Sequence, residues 1–253
     1  MPLIITSRQG PIITVTLNRP ERRNALGVEL LQEFVSAISA AEADKSARVL
    51  VVRGAGPAFC AGLDLAEASD ASHAEASAAL IARVLQLLSG SRLATIAAVH
   101  GAAIAGGAGL MSACDFAVAT DDTKIGYPEV RRGLVAGLVM TFLRRQVRER
   151  DVREILLTGE LFSAARAKEF GLLNRVVPAA QLDAAVTQII ECVLAGGPAA
   201  IAHTKELLSQ LWPRTIEADL KHALAFHLKA RNSAEALEGI AAFREKRAPT
   251  WPQ

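Results

Sequence analysis

The stretch LATIAAVHGAAIAGGAGLMSACDFAVA, residues 93–119, decides how the chain folds. Its first 22 residues, Leu93 to Cys114, carry no formal charge. A bilayer-spanning helix needs about 20 such residues. Here, however, Ala dominates rather than Leu, His100 sits in the middle, and Gly101, Gly106, Gly107 and Gly109 interrupt the run. That texture fits a buried strand over 95–99, a glycine turn and a buried helix better than one membrane helix. A second strand over 116–119 and a polar turn at 120–124 follow.

Outward from this centre the same alternation continues. Residues 12–17 and 48–53 are rich in Val, Ile and Thr and read as strands. Between them Leu26, Leu30, Leu31, Phe34, Val35 and Ile38 recur at helical spacing. A glycine-rich turn over 54–62 leads to an Ala-rich helix from about 73 to 89. The segment 66–79, rich in Ala, Ser and Asp, is the expected mobile loop. Beyond Pro128, residues 151–158 and 163–170 read as short helices, with Ser163 as an N-cap, and 172–177 as a last β segment. From Pro178 to Arg247 the pattern is helical, interrupted at Gly196-Gly197-Pro198 and at Pro213. The expected organisation is an α/β core over 1–195 and a helical region over 196–253, too small to stand alone.

Composition narrows the function. Of 253 residues 51% are hydrophobic and 21% charged, a globular balance. Lys and Arg total 28 against 26 acidic residues, so the net charge is only +2. No strong field is present to gather nucleic acid or an anionic membrane. Cys60, Cys114 and Cys192 are odd in number and far apart, which suggests neither a disulfide framework nor a zinc site. The first residues, MPLIITSRQGPIITVTL, lack the charged and long apolar regions of a signal peptide. A cytoplasmic location is expected.

Individual motifs are modest when taken singly. The run Gly101 to Gly109 lacks the Lys-Ser/Thr ending of a P-loop and the GxGxxG spacing of a dinucleotide site. Its small residues either let a ligand approach the free amides at a helix start, or simply pack tightly. RGAGPAFCAGLDL (53–65) is a tight turn after a strand, ending near Asp64. There is no GxSxG nucleophile elbow. His73, His100, His203, His222 and His227 show no metal-ligand spacing. The arginines 144, 145, 148, 150 and 153 are interleaved with acids, as on a solvated or interfacial helix. Glu129, in GYPEV, occupies the first turn of an expected helix, where a carboxylate favours the dipole.

In order along the chain, LNRPERRNAL (17–26), RGAGPAFCAGLDL (53–65), HGAAIAGGAGLMSACDFAVA (100–119), IGYPEVRRGL (125–134), LLTGELFSAARAKEFGLLNRVV (156–177) and EGIAAFREKRAPTW (238–251) resemble the enoyl-CoA hydratase/isomerase, or crotonase, family. The resemblance implies an α/β spiral of β-β-α repeats with a helical C-terminal trimerisation region, and trimers or dimers of trimers. It also implies an acyl-CoA thioester substrate, coenzyme A being part of that substrate, with no separate cofactor and no metal. By the same resemblance the backbone amides of Leu63 and Gly106 form the oxyanion hole and Glu129 is the catalytic acid/base. Arg22, Ala25, Ala61, Asp64, Leu65, Phe243 and Lys246 contact CoA. Hydratases of the family use two glutamates; this chain has Gly109 where the first would stand. One base is enough to carry a proton from C2 to C4, whereas adding water is usually shared by two carboxylates. The expected reaction is therefore conversion of 3-enoyl-CoA to 2-enoyl-CoA. The alternatives are hydration by Glu129 alone, or an acyl-CoA-binding relative without turnover. An RNA-binding role, known in one branch of the family, is disfavoured by the charge balance. The acyl pocket is expected from 66–88 and 135–142.

Overall fold

The computed structural model describes residues 1–64, 67, 71–211 and 215–250. Strands β1 (Ile4–Gln9) and β2 (Ile12–Leu17) form an antiparallel hairpin turning at Gly10, whose φ of 57° suits glycine. Helix α1 (Val28–Ala43) follows and buries Leu30, Leu31, Phe34, Ile38 and Ala41 on one face, as the spacing requires. Strands β3 (Val49–Gly54) and β4 (Ala94–Val99) pair in parallel beside β2, with helix α2 (Ala71–Gly90) between them in sequence. All six residues of β4 are buried, which accounts for its uninterrupted apolar run.

Next come β5 (Ala102–Ile104), α3 (Gly106–Ala113), β6 (Phe116–Thr120) and β7 (Lys124–Gly126). The decisive stretch is thus strand, short strand, helix, strand, and α3 is buried along nearly its whole length. Helices α4 (Gly137–Gln146) and α5 (Glu149–Thr158), strand β8 (Leu161–Ser163), helix α6 (Ala164–Phe170) and strand β9 (Arg175–Val177) complete this part. The Ser163 hydroxyl caps α6 by accepting from the Arg166 amide at 3.3 Å.

The large sheet has the order β1-β2-β3-β4-β6-β9, parallel beyond the first hairpin. The small sheet has the order β5-β7-β8, with β5 and β7 parallel and β7 and β8 antiparallel. Each of β4 and β6 sends its chain directly into a strand of the small sheet, a β-β-α progression. Four helices follow: α7 (Leu182–Ala195), α8 (Pro198–Gln210), α9 (Ile216–Arg231) and α10 (Ala234–Glu245). Helix α7 covers the outer face of the large sheet, where Val186, Ile189 and Ile190 meet Val49, Ile96 and Val118. Helix α9 contributes Leu220 to the main core.

Several local expectations change. Residues 71–79 belong to α2 rather than to a loop, while 65–66 and 68–70 lie outside the described residues, as does Pro213. The last β segment shrinks to Arg175–Val177, since Leu172 and Leu173 turn inward to the core. Lys124 ends the expected polar turn by opening β7, and the structure adds all three short strands β5, β7 and β8 to the expected elements. No single described helix is long and apolar enough to cross a membrane.

Candidate active site

A cavity of about 810 Å³ opens between the turn at 22–25, the segment 61–64, the start of α3, the loop 128–139, and helices α2, α9 and α10. One buried residue ties its near wall together. Asn24, with φ of 55°, directs its side-chain amide to the carbonyls of Ala55 (2.9 Å), Ala58 (2.8 Å) and Phe59 (3.2 Å), and its Oδ1 accepts from the Arg19 amide at 2.9 Å. The turn carrying Arg22 is thereby fixed to the glycine-rich loop.

The same loop is stitched to β5: Cys60 N–H donates to Ala102 O and Ile104 N–H donates to Cys60 O, each at 3.0 Å. On the other side Leu26 N–H donates to Gly62 O (2.8 Å) and Asp64 N–H to Leu26 O (3.1 Å). In an extended chain alternate groups point opposite ways, so the Leu63 amide faces away from Leu26. Gly62 has φ of 92°, and a Cβ on it would stand 2.7 Å from Ile104 O and 3.4 Å from the Gly106 nitrogen. A Cβ on Gly106 would stand 3.9 Å from the Leu63 nitrogen. Two glycines therefore let two amides converge. Among the described residues neither amide donates to another backbone group. Gly106 also begins α3, which has no side-chain cap, so the partial positive charge of that helix end adds to the pair.

Glu129 enters from a short 3-10 helix, Pro128–Arg132, started by the proline and ended by Gly133 at φ of 65°. It is 9% exposed, and among the described residues its Oε2 has no hydrogen-bond partner. Burial raises its carboxyl from 4.5 to about 7, opposed by its own backbone N–H and by the Arg132 guanidinium. Residues i and i+3 of a 3-10 helix share a face, which is why Arg132 is felt by Glu129. Just upstream, the buried Tyr127 hydroxyl pairs with Ser112 Oγ at 2.9 Å.

Position 109 is closed. A Cβ on Gly109 would overlap Cγ1 of Val139 and lie 3.7 Å from Leu85 Cδ2. Val139 belongs to the first turn of α4, so α4 packs its branched side chain into the space that a longer residue on α3 would occupy.

Of the residues singled out from the sequence, Arg22, Ala25, Ala61, Leu63, Asp64, Gly106, Glu129 and Phe243 line this one cavity. Asp64 is 6% exposed and held by Arg19 at 2.6 Å, which makes it part of the wall's framework. Lys246 does not line the cavity; it caps α10 in a left-handed conformation with φ of 54°, and Arg244 reaches the lining instead. Leu65 lies outside the described residues. Gly109 stands behind Val139. The expected acyl segments supply Ala78 and Ile81 from α2, and Val135, Leu138 and Val139 around the start of α4.

The structure adds Arg132, His227 and Arg231. Arg132 lies over the Phe243 ring, 4.6 Å from its centroid, and its backbone is pressed against Gly239 of α10. Its spacing of three from Glu129 was a usable signal. His227 and Arg231 carried none, because nothing in the sequence says that α9 returns to the site.

The enoyl-CoA hydratase/isomerase family profile matches residues 7–253. A Thermus thermophilus protein is 37% identical over 98% of this chain and 100% of its own length. An enoyl-CoA hydratase of Mycobacterium tuberculosis is 34% identical over 99% of this chain and 96% of that protein. The crystal structure of an enoyl-CoA hydratase from Mycobacterium avium, 33% identical, superposes with a TM-score of 0.88 and 99% coverage of both chains. The crotonase-like fold and the near end-to-end match agree with the six ordered motifs, and the chain belongs to the enoyl-CoA hydratase/isomerase family.

Proposed function

We propose that this enzyme moves a carbon–carbon double bond, converting 3-enoyl-CoA to 2-enoyl-CoA, with Glu129 as its single acid/base. The carboxylate takes a proton from C2, and the electron pair spreads through C1 to the thioester oxygen. The Leu63 and Gly106 amides stabilise that oxyanion; each such donor contributes on the order of 3 kcal/mol to the transition state. The protonated Glu129 then returns its proton to C4, leaving the double bond between C2 and C3. A carboxyl near 7 is suited to both halves, since it is neither too weak a base nor too weak an acid at neutral pH.

The observation that carries this reading is the closed position 109. With Val139 Cγ1 in the space that even a Cβ at 109 would need, the wall is packed without a second carboxylate there, and among the described residues Glu129 is the carboxylate with an unpartnered buried oxygen. Hydration by Glu129 alone is the competing reading, and the names of the relatives favour it. A paired assay of wild type and Glu129→Gln on a 3-enoyl-CoA and on crotonyl-CoA decides. Double-bond migration that the variant lacks supports the isomerase. Rapid loss of the conjugated double bond of crotonyl-CoA sinks it in favour of hydration. Tight thioester binding with silence on both substrates would point to another acyl group or to a non-catalytic relative.

Arg22, Ala25, Ala61 and Phe243, on the cavity wall, are the proposed CoA contacts, with Lys246 at the outer end of α10. The exposed Leu207, Leu208 and Leu211 on and just beyond α8 support self-association as a trimer or a dimer of trimers, which mass measurement in solution tests.

A further inference from the structure

The wall of the cavity formed by α9 does not match a plain hydrocarbon chain. The acyl segments contribute Ala78, Ile81, Leu138 and Val139, all apolar. Facing them, α9 contributes His227 and, one helical turn on, Arg231. Residues four apart lie on one helix face, so the imidazole and the guanidinium present a single polar strip. Arg231 is only 4% exposed, and it is itself held by protein contacts. A guanidinium carries five N–H donors in a planar fork that matches a carboxylate.

His227 is placed by the reacting loop. Its Nδ1 lies 3.2 Å from the Val135 carbonyl, which can only accept, so Nδ1 carries the proton. The next residue back, Leu134, donates its amide to the Glu129 carbonyl at 3.0 Å. The backbone of Gly137 also packs directly on α9, since a Cβ there would stand 2.9 Å from the Ala223 carbonyl and 3.7 Å from His227 Cβ. The polar strip is thus locked to the segment that carries the base.

We propose that His227 and Arg231 form a specificity subsite for the far end of an acyl group that bears a carboxylate, so that the preferred substrates are CoA thioesters of unsaturated diacids, with the five-carbon diacid as the first probe. Arg231 supplies the charge-assisted hydrogen bonds, and His227 fixes the depth at which the chain ends. This deepens the isomerase reading and rests on it for the placement of the thioester at Leu63 and Gly106.

Binding of saturated thioesters tests the subsite without any turnover. Calorimetry with the full chain would compare glutaryl-CoA, its terminal methyl ester and pentanoyl-CoA. The expected result is about tenfold or more tighter binding of glutaryl-CoA than of the other two, as a charge-assisted contact gives. In Arg231→Met the preference collapses to near unity, and in Arg231→Lys part of it returns. Equal binding of acid and ester by the wild type overturns the proposal, as does a preference that survives Arg231→Met. Should Arg231→Met not fold, the wild-type comparison and His227→Phe, which must narrow the preference, still decide. Because these ligands cannot isomerise, a failed isomerase assay leaves this test intact, and an absent preference leaves the isomerase reading standing.

Discussion

Replacing Glu129 by Gln should stabilise the protein at alkaline pH while abolishing proton transfer, and the size of the effect follows from burial. An unfolded chain releases this proton near 4.5, whereas the folded protein holds it until about 7. Below 4.5 the group is protonated in both states and contributes no difference. As pH rises from there, the unfolded state loses its proton first, so the equilibrium tilts toward unfolding, and above 7 the full penalty is present. At about 1.4 kcal/mol per pH unit, the interval corresponds to about 3 kcal/mol of stability lost by the wild type and not by the variant. Urea unfolding of both proteins at pH 4.5 and pH 8 would measure it, at one protein concentration because self-association shifts apparent stability. The difference between variant and wild type should grow by about 3 kcal/mol in the variant's favour at the higher pH. Any fixed cost of seating the Gln amide cancels in that comparison. The isomerisation rate of the wild type should rise over the same range and level off above 7, since the carboxylate is the form that takes the proton. A gap that stays constant between the two pH values would refute the reasoning, for it would mean that Glu129 is solvated or paired and not the unpartnered buried acid described above.

Gly62→Ala should lower kcat by about a hundredfold or more with a smaller change in KM, because its methyl group pushes on Ile104 O beside the Gly106 amide and separates the two donors; unchanged kcat would remove these amides from the mechanism. Gly109→Ala should destabilise by about 1 kcal/mol net, overpacking against Val139 outweighing the gain in helix propensity. Adding Val139→Ala should relieve that strain, so the double variant loses less than the sum of the singles in denaturant melts, and additive losses would argue against the contact. Asn24→Ala should cost about 3 kcal/mol by stripping a donor group from three carbonyls, and a thermal melt within a degree of wild type would contradict the pinning role given to that side chain.

What could be read from the sequence divides along a physical line. Strands β3, β4 and β6 announce themselves because they are buried within the parallel part of the sheet and carry nearly continuous apolar side chains, and β2 through its alternation of buried Ile13, Val15 and Leu17 with half-buried Thr14 and Thr16. Helix α1 announces itself through the spacing of Leu30, Leu31, Phe34 and Ile38. The small sheet is silent, since β5, β7 and β8 are three residues each and draw on segments some twenty and forty residues apart, too short for any periodicity to register. Glu129, Leu63 and Gly106 were singled out by the family resemblance and not by local chemistry, for a first-turn carboxylate after Pro128 and two glycine-rich turns are ordinary when taken singly.

Val139, His227 and Arg231 belong to the other class. Each is ordinary for the helix that carries it, and each acquires meaning only through a partner far along the chain: Gly109 for Val139, the Val135 carbonyl for His227, the apolar acyl wall for Arg231. The two classes correspond to two tasks. The motif residues are the proposed oxyanion hole and base, and their geometry is set by backbone, so local sequence must specify it. The unannounced residues line the cavity near that proposed base, and packing between helices places them, so by the proposal above single substitutions there should alter substrate preference without touching a motif. A glycine at 109 alone would leave an open space that water or a side chain could enter. Glycine at 109 with valine at 139 is a filled wall, and that pairing, rather than the loss of one glutamate, argues for proton shuttling by a single base.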